Sequence, residues 1–535
     1  MDLSAFLSSP VLWVVTIISA LYIIYKHVTA SFNYFSNQGI PGPQPNPIFG
    51  NMWGIWKANL PDYDVDLVRN YGKIFGYFDG SIPNLWVTDV DLIKAIFIKD
   101  FDHFVDRRSM EIKLKVMRKW MTLMKGQEWK DVRSSVTPAF TTGKIKRMSS
   151  LIKDCVADLC DRLTSATQIE EKIDAKLKFS AFTMDVIARC AFGFKIDTIG
   201  SENDVFIRNA RVIVNPPTTR SPVGLLPCKS YKQFYFFPFS FLNLFCTVIF
   251  PNFLSTFGGV FERLFSIKEM KFFFNLLEDV LRDRSQSKEN YHDFIEIANE
   301  SISEFTKEVD GKTVPMWTRE EIDEIIMGQS TLFMLAGFDT TATTLTNTCF
   351  QLARNPDIQE KLYDTVITKM EEYGEVCHDM VQDMPYLEMV IQEVLRFYPP
   401  LLRVERQCTK DYSYENGRIQ MKKGQLVTVP AYALHRMEEY YPDPEKFDPE
   451  RWNPENKAKR SPYTFMAFGM GPRNCVGMRF AMEEMKIAIA TVIQKFRFFP
   501  VEETPEKLRF DDGFTQILQP LHATLGIEFR QTFSG

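Results

Sequence analysis

One short loop near the C-terminus constrains this 535-residue chain more than any other feature: Phe468-Gly-Met-Gly-Pro-Arg-Asn-Cys-Val-Gly477. Gly469, Gly471 and Pro472 disfavour a helix, so the chain must turn here before a helical pattern begins near residue 476. Cys475 therefore lies at the positive end of a helix dipole, close to unpaired backbone N–H groups. Both effects lower the pKa of a thiol and favour the thiolate, which binds iron. Without further support, a structural loop around a buried cysteine would explain the same residues.

The residues around the cysteine suit a flat macrocycle that carries carboxylates. Gly477 lets the backbone approach such a group closely, and Phe468 can cover the sulfur against water. Arg473 is placed to bind a carboxylate through a charge-assisted hydrogen bond.

The longest predicted helix runs from Arg319 to Arg354. Thr318 and Glu321 form a capping box at its start, and Asn355-Pro356 ends it. About 36 residues at 1.5 Å each give a rod of roughly 54 Å, long enough to cross a whole domain. Further helices are predicted at about 386–397 and 476–496, with strands at about 402–409 and 425–430. The fold is therefore expected to be mainly α with a minor β part, in a single large domain.

The middle of that helix reads Ala336-Gly-Phe-Asp-Thr-Thr341. Ala336 and Thr340 share one face, and small Ala336 and Gly337 leave room for a diatomic ligand. The Thr340 hydroxyl can donate to dioxygen, and Asp339 can relay protons through water. The alternative is a buried helix whose threonine donates back to its own backbone.

These motifs together resemble a known family. The pattern F-x-x-G-x-R-x-C-x-G is the haem-ligand signature of the cytochrome P450 monooxygenases, and it is matched at every fixed position. The 336–341 segment resembles the family's oxygen-activation motif, and Glu393-Val-Leu-Arg396 resembles its E-x-x-R pair. The resemblance implies that Glu393 and Arg396 meet Arg451 in the interior, where breaking a buried ion pair costs about 3–5 kcal/mol.

The resemblance also implies residues that hold the haem propionates. Trp129-Lys-Asp-Val-Arg133 matches a W-x-x-x-R pattern whose Trp and Arg contact a propionate. Further contacts are implied for Arg107 and Arg406, in addition to Arg473. An exposed surface arginine is the alternative for Arg107.

As a member of that family, the chain would bind haem b, iron protoporphyrin IX, with an axial thiolate from Cys475. It would insert one atom of dioxygen into an apolar small molecule such as a steroid, lipid or xenobiotic. No dinucleotide-binding fingerprint is visible, so the electrons of NADPH must arrive through a separate protein. The resemblance implies NADPH–cytochrome P450 reductase, with cytochrome b5 as an optional second donor. The motifs look closest to the microsomal branch that includes the vertebrate family 3 enzymes.

Two other functions use the same haem ligand. A haem-thiolate isomerase or dehydratase would rearrange oxygenated lipids without dioxygen, and a non-catalytic haem protein would bind a gas or lipid as a sensor. Thr340 and Asp339 argue against both, because neither needs protons delivered to oxygen.

The N-terminus predicts a membrane anchor. Residues 3–25 contain no charge and are long enough to span a bilayer core of about 30 Å. A cleaved signal peptide is the alternative, but the run is long and ends in Ile-Tyr-Lys. Asp2 before it and Lys26-His27 after it favour a cytosolic body. We therefore predict a single-pass anchor, a proline-rich hinge at 40–47 and a catalytic domain at 48–530. The resemblance to the microsomal branch implies that the anchor lies in the membrane of the endoplasmic reticulum.

Other features of the chain limit its partners. The net charge of −5 gives no reason to expect nucleic acid, and nine scattered cysteines suggest free thiols in a reducing compartment. The uncharged aromatic stretch at 233–261 suits the membrane interface or a covered core, and the choice stays open. Five basic residues around the loop could dock an acidic electron donor, with a solvated charged face as the alternative: Lys457, Lys459, Arg460, Arg479 and Lys486.

Overall fold

The computed structural model describes residues 10–47, 49–52, 54, 59–108, 115–169, 172–193, 205–214, 268–286, 293–309, 312–510 and 517–530. The uncharged stretch at 233–261 and the first nine residues lie outside these ranges. The helices are α1 Pro10–Thr29, α2 Leu60–Tyr71, α3 Val90–Lys94, α4 Lys115–Arg118, α5 Gly126–Val136, α6 Thr142–Ile169, α7 Ala175–Phe192, α8 Val205–Val214, α9 Lys268–Gln286, α10 Phe294–Ser303, α11 Arg319–Arg354, α12 Pro356–Tyr373, α13 His378–Gln382, α14 Pro385–Phe397, α15 Ala431–Leu434, α16 Pro454–Ala458 and α17 Met478–Lys495. The strands are β1 Ile74–Asp79, β2 Ile82–Val87, β3 Lys172–Asp174, β4 Thr306–Val309, β5 Lys312–Pro315, β6 Arg403–Gln407, β7 Tyr412–Tyr414, β8 Ile419–Met421, β9 Leu426–Pro430, β10 Phe496–Phe499 and β11 Thr524–Phe529.

These elements fall into two compact units. The first unit contains the described residues between 10 and 104 and those of 405–430, and it carries a four-stranded sheet of order β1-β2-β9-β6. β1 and β2 are antiparallel, whereas β2 and β9 are parallel. Of the two inner strands, β9 is buried over all of Leu426–Pro430, and β2 is buried over its last four residues.

The second unit contains the described residues of 105–214, 268–404 and 431–530. It is built around α11, which packs most extensively against α7 and also contacts α14 and α17. A three-stranded sheet of order β10-β11-β3 and the hairpin β4-β5 complete its described β structure. The expected mainly α fold with a minor β part is confirmed.

The predicted ends of the long helix follow from local chemistry. α11 begins at Arg319 and ends at Arg354, and both bonds of the capping box are present. The Thr318 N–H donates to Glu321 over 2.8 Å, and the Glu321 N–H donates to the Thr318 hydroxyl over 3.2 Å. α12 starts directly afterwards at Pro356, which has no N–H to continue the first helix.

Helix α1 leads into a segment that is fastened to the first unit by several contacts. Phe35 is buried against Phe78, and Ser31 donates to the carbonyl of Ser81 over 2.6 Å. The carbonyl of Pro41 accepts from the Gly76 N–H over 2.8 Å, so the proline-rich segment lies along β1. Among the residues that the structure describes, no helix has both the length and the apolarity needed to cross a membrane.

Candidate functional site

The loop before α17 is shaped by its two glycines. Gly469 and Gly471 adopt φ values of 70° and 73°, in the left-handed region that other residues avoid. The Cys475 N–H donates to the carbonyl of Phe468 over 2.9 Å, which closes the loop around the cysteine. α17 then starts at Met478, two residues later than the sequence pattern suggested.

Burial and nearby charges shift the pKa of the Cys475 thiol in opposite directions. The side chain is exposed on one side, but protein surrounds the rest of it, and burial raises the pKa of the thiol. The Gly477 N–H lowers this pKa, as the sequence suggested, and the charges of Arg133 and Arg107 lower it as well, but burial has the larger effect. The expectation of a lowered pKa from the loop alone is therefore wrong, because it ignored desolvation.

Arg473 is buried and fixed mainly by backbone oxygens. Its Nη1 donates to the carbonyl of Val105 and its Nη2 to that of Met124, both over 2.5 Å. Its guanidinium also lies over the ring of Trp129, 4.8 Å from the centroid. Arg473 thus joins the cysteine loop to the segment before α5, a structural contact that the sequence did not suggest.

Two more arginines lie beside this loop. Arg133 donates to the Asn474 side chain over 3.0 Å, and Arg107 donates to the carbonyl of Arg473 over 3.3 Å. Four residues of the second unit were expected near the propionates, and the structure brings all four together: Arg107, Trp129, Arg133 and Arg473.

The donor set fits a group that carries two carboxylates. Burial, together with the charges of Arg107 and Arg133, lowers the pKa of Arg473 to about 9, against the opposing effect of Asp106. Among the described residues, the buried Nε of Arg473 has no hydrogen-bond partner. A cluster of cations with one acidic neighbour at 3.6 Å from Arg473 suits the two propionates of a haem.

Arg406 belongs to the first unit and is fully buried there. Its guanidinium lies 4.7 Å from the centroid of the Phe97 ring, and its Nη1 donates to the carbonyl of Glu405 over 2.9 Å. Its predicted contact with a propionate stays a prediction.

On α11 the small residues face different neighbours. Ala336 is exposed although Leu335 and Phe338 beside it are buried, so open space adjoins this turn of the helix. A side chain at Gly337 would instead meet Ile187 of α7 at 2.8 Å. Gly337 therefore serves helix packing, and only Ala336 leaves room for a ligand.

Thr340 donates to the backbone of its own helix, which is the alternative that the sequence left open. The Thr340 hydroxyl donates to the carbonyl of Ala336 over 2.6 Å. The O–H bond would have to turn away from this carbonyl before the hydroxyl could donate to a ligand beside Ala336.

Asp339 is held on both sides. Lys176 of α7 lies 2.7 Å from Oδ1, and Gln519 donates to Oδ2 over 2.6 Å. Lys176 also donates to the Thr343 hydroxyl over 2.7 Å. Burial lowers the pKa of Lys176, and the Asp339 carboxylate opposes that shift. The sequence did not suggest Lys176 or Gln519, which lie far from the motif along the chain.

The E-x-x-R pair forms a fully buried network. Arg396 donates to both carboxylate oxygens of Glu393, each over 2.8 Å. Glu393 also accepts from the Trp452 indole over 2.9 Å, and Arg451 lies 3.4 Å from it. The structure thus brings the three predicted residues together.

The basic residues around the loop do not form one exposed surface. Lys486 is buried and pairs with Glu388 over 2.7 Å. Arg460 is half-buried, over the rings of Tyr441 and Trp452 at 4.5 and 4.6 Å. The exposed cations of this set are Lys457, Lys459 and Arg479.

Comparison with known proteins decides the family. A sequence model described as Cytochrome P450 matches residues 40–525. The chain belongs to the cytochrome P450 family. Cytochrome P450 3A14 of Cavia porcellus is 33% identical over 512 residues, which cover 95% of this chain and 94% of the relative. Cytochrome P450 3A11 of Mus musculus is 34% identical over 524 residues, 97% of each chain. Lithocholate 6-beta-hydroxylase of Mesocricetus auratus is 34% identical over 515 residues, 95% of this chain and 94% of the relative.

Membership explains the chemistry of the site. This cytochrome P450 is an oxidoreductase, a haem-thiolate monooxygenase that uses haem b with an axial cysteine thiolate. Its sequence is similar to those of the family 3 enzymes. Its reaction needs an apolar substrate, dioxygen and a reductase.

Proposed function

We propose that this cytochrome P450 hydroxylates an apolar, steroid-sized molecule, with Cys475 as the axial ligand of its haem. The observation that carries this proposal is the arrangement of three arginines and Trp129 around the cysteine loop. These residues would hold the propionates, while Phe468 covers the sulfur. The haem supplies the oxygen chemistry, and the thiolate favours cleavage of the O–O bond.

The residues of α11 act on the other reactants. Ala336 leaves space beside the helix, and the Thr340 hydroxyl would rotate from its backbone acceptor to donate to dioxygen. Asp339 would supply protons through water once its contact with Lys176 or Gln519 opens, since both carboxylate oxygens are engaged. This role of Asp339 requires motion of a side chain, which the sequence motif alone did not indicate.

The substrate class is proposed from the relatives. One of them is named for hydroxylation of lithocholate, a steroid acid, and family 3 enzymes resemble this chain over nearly its whole length. We propose a steroid or a xenobiotic of similar size as the substrate.

We further propose the endoplasmic reticulum as the location, with a single N-terminal anchor and the catalytic domain in the cytosol. The side chains from Trp13 to Tyr25 on α1 include many exposed apolar groups, which would suit lipid. NADPH–cytochrome P450 reductase would deliver electrons, with cytochrome b5 as a second donor. Lys457, Lys459 and Arg479 are the exposed cations that could contact an acidic partner.

The test is reconstitution of the full-length protein with haem, reductase, NADPH and a panel of steroids and bile acids. Binding is expected to shift the absorption of the ferric haem, and turnover is expected to yield hydroxylated product only when NADPH and reductase are present. Product formed without either would favour an isomerase or dehydratase and contradict the proposal.

Thr340→Ala is expected to reduce product formed per NADPH by about tenfold, while oxygen consumption continues. The reason is the loss of the hydroxyl that would donate to dioxygen, with the substrate site left intact. Product, NADPH and oxygen are measured together. Thr346→Ala is the matched control, since Thr346 also donates to its own helix, over 2.7 Å to Ala342, but lies on another face. An unchanged product-to-NADPH ratio in Thr340→Ala would refute the assigned role.

Lys176→Met is expected to lower the free energy of unfolding by about 3 kcal/mol, because the buried Asp339 carboxylate loses its cation. Lys178→Met, two residues along the same helix, should have little effect. Denaturant unfolding followed by circular dichroism measures both. The double variant Lys176→Met/Asp339→Asn should recover part of the loss, because it leaves no buried charge unpaired. Equal stability of the two lysine variants would show that the ion pair contributes nothing.

A further inference from the structure

A fully buried histidine, His435, lies between helix α14 and the segment that enters the cysteine loop. It follows α15 directly, and its ring stacks on that of Phe465 with centroids 5.4 Å apart and an interplanar angle of 19°. Both ring nitrogens contact backbone groups, one on each side.

The first contact is with the end of α14. The helix ends at Phe397, and the N–H that would bond the Arg396 carbonyl in a longer helix belongs to position 400, which is a proline without an N–H. His435 Nδ1 lies 3.1 Å from this carbonyl oxygen. Arg436 caps the next carbonyl, that of Phe397, over 2.7 Å. Two neighbouring side chains thus complete a helix end that Pro399 and Pro400 leave unfinished.

The second contact is with the segment before the loop. The Met466 N–H donates to His435 Nε2 over 2.9 Å. Nε2 must therefore be the acceptor, and the ring proton resides on Nδ1, from which it is donated to Arg396. Burial, with a smaller contribution from the charge of Arg396, lowers the pKa of His435 to about 3. The ring is thus neutral around neutral pH, and a single tautomer satisfies both contacts.

Backbone bonds carry this connection on to the cysteine. The Met466 carbonyl accepts from the Gly469 N–H over 2.9 Å, and the Phe468 carbonyl accepts from the Cys475 N–H over 2.9 Å. A continuous series of hydrogen bonds thus runs from Arg396 through His435 to Cys475. The side chain of Arg396 is itself held by Glu393.

We propose that His435 is a positioning residue for the haem ligand: it fixes the cysteine loop to the end of α14, so that Cys475 stays bonded to iron. The inference rests on the proposed assignment of Cys475 as the axial ligand. If His435 only stabilised the fold, its loss would weaken the whole second unit and the ligand equally. If it positions the loop, the thiolate bond should fail while the helices are still folded.

His435→Phe separates these two effects. Phenylalanine keeps a ring that can stack on Phe465, but it leaves the Arg396 carbonyl and the Met466 N–H without their partner. Tyr441→Phe is the matched control, because its hydroxyl donates within the same aromatic cluster, over 3.3 Å to the Thr464 carbonyl, while His435 remains in place.

The haem-loaded full-length proteins are placed in a denaturant concentration at which circular dichroism shows all helices intact. Conversion of the reduced carbon monoxide complex from the thiolate-ligated spectrum to the form without thiolate is then timed. We expect conversion in His435→Phe to be about tenfold faster than in the wild type, because two buried groups lose their hydrogen bonds. Tyr441→Phe should convert at close to the wild-type rate.

Each of the following outcomes would overturn the inference. His435→Phe could convert as slowly as Tyr441→Phe, or it could lose helix content and thiolate ligation together. If His435→Phe does not accumulate with haem, His435→Gln is measured in the same way, because glutamine keeps one donor and one acceptor. Joint loss of helix content and thiolate ligation in this variant again counts against the inference. A wild-type protein without the thiolate spectrum would be a different failure, since it rejects Cys475 as the ligand and the positioning role with it.

Discussion

Cys475→Ala is expected to abolish both the thiolate-type spectrum of the reduced carbon monoxide complex and all NADPH-dependent product formation. Alanine cannot supply an anionic ligand, and the wild-type environment already opposes an unbound thiolate, because burial raises the pKa of this thiol. The bond to iron must therefore outweigh desolvation, and nothing else in the loop can replace the sulfur.

Cys377→Ala provides the control for this variant. Cys377 is another free cysteine of the second unit, partly exposed at the start of α13, and its loss should change neither spectrum nor turnover. Residual thiolate-type absorption in Cys475→Ala would mean that a different cysteine binds the iron. Retained circular dichroism in Cys475→Ala would show that ligand loss, not unfolding, removed the signal.

Glu393→Gln is expected to lower the free energy of unfolding by about 5 kcal/mol, the upper end for a broken buried pair. The carboxylate accepts from Arg396 twice, from the Trp452 indole and from the Asp448 N–H, with Arg451 also near. A glutamine would remove the negative charge beside the buried Arg396 and the partly buried Arg451, and its amide N–H groups would face other hydrogen-bond donors. A loss of this size is comparable to the whole stability of many domains, so little haem-loaded protein should accumulate.

The measurement is denaturant unfolding of whatever folded protein is obtained, together with the yield of haem-loaded protein. Glu455→Gln is the control, because Glu455 pairs with Lys459 at the surface and its side chain is 81% exposed. That variant should behave as the wild type. Stability of Glu393→Gln within measurement error of this control would show that the buried network is dispensable.

Local chemistry made much of the fold predictable. The capping box of Thr318 and Glu321 sets the start of α11, and a proline after its end sets the stop. The glycines of the loop at 468–477 likewise predicted a turn, which their positive φ values now explain. In each case, residues within a few positions of one another carry the information.

The parts of the site that the sequence did not reveal depend on contacts between distant segments. Lys176 meets Asp339 across 163 positions of the chain, and a lysine on a helix gives no sign of such a partner. The same is true of Arg473, whose backbone acceptors lie about 350 positions earlier. The thiol pKa was misjudged for a related reason, since desolvation depends on how completely the fold surrounds Cys475.

The three arginines at the cysteine loop, Arg107, Arg133 and Arg473, affect how much of this protein accumulates in a cell. Like charges confined together oppose the compact state. If the haem propionates neutralise these arginines as we propose, the chain would be under self-repulsion at this point before it binds haem. A ligand that binds only the native form stabilises it in proportion to the logarithm of its free concentration. The steady-state amount of the enzyme would then follow the supply of newly made haem, even when transcription of its gene is constant.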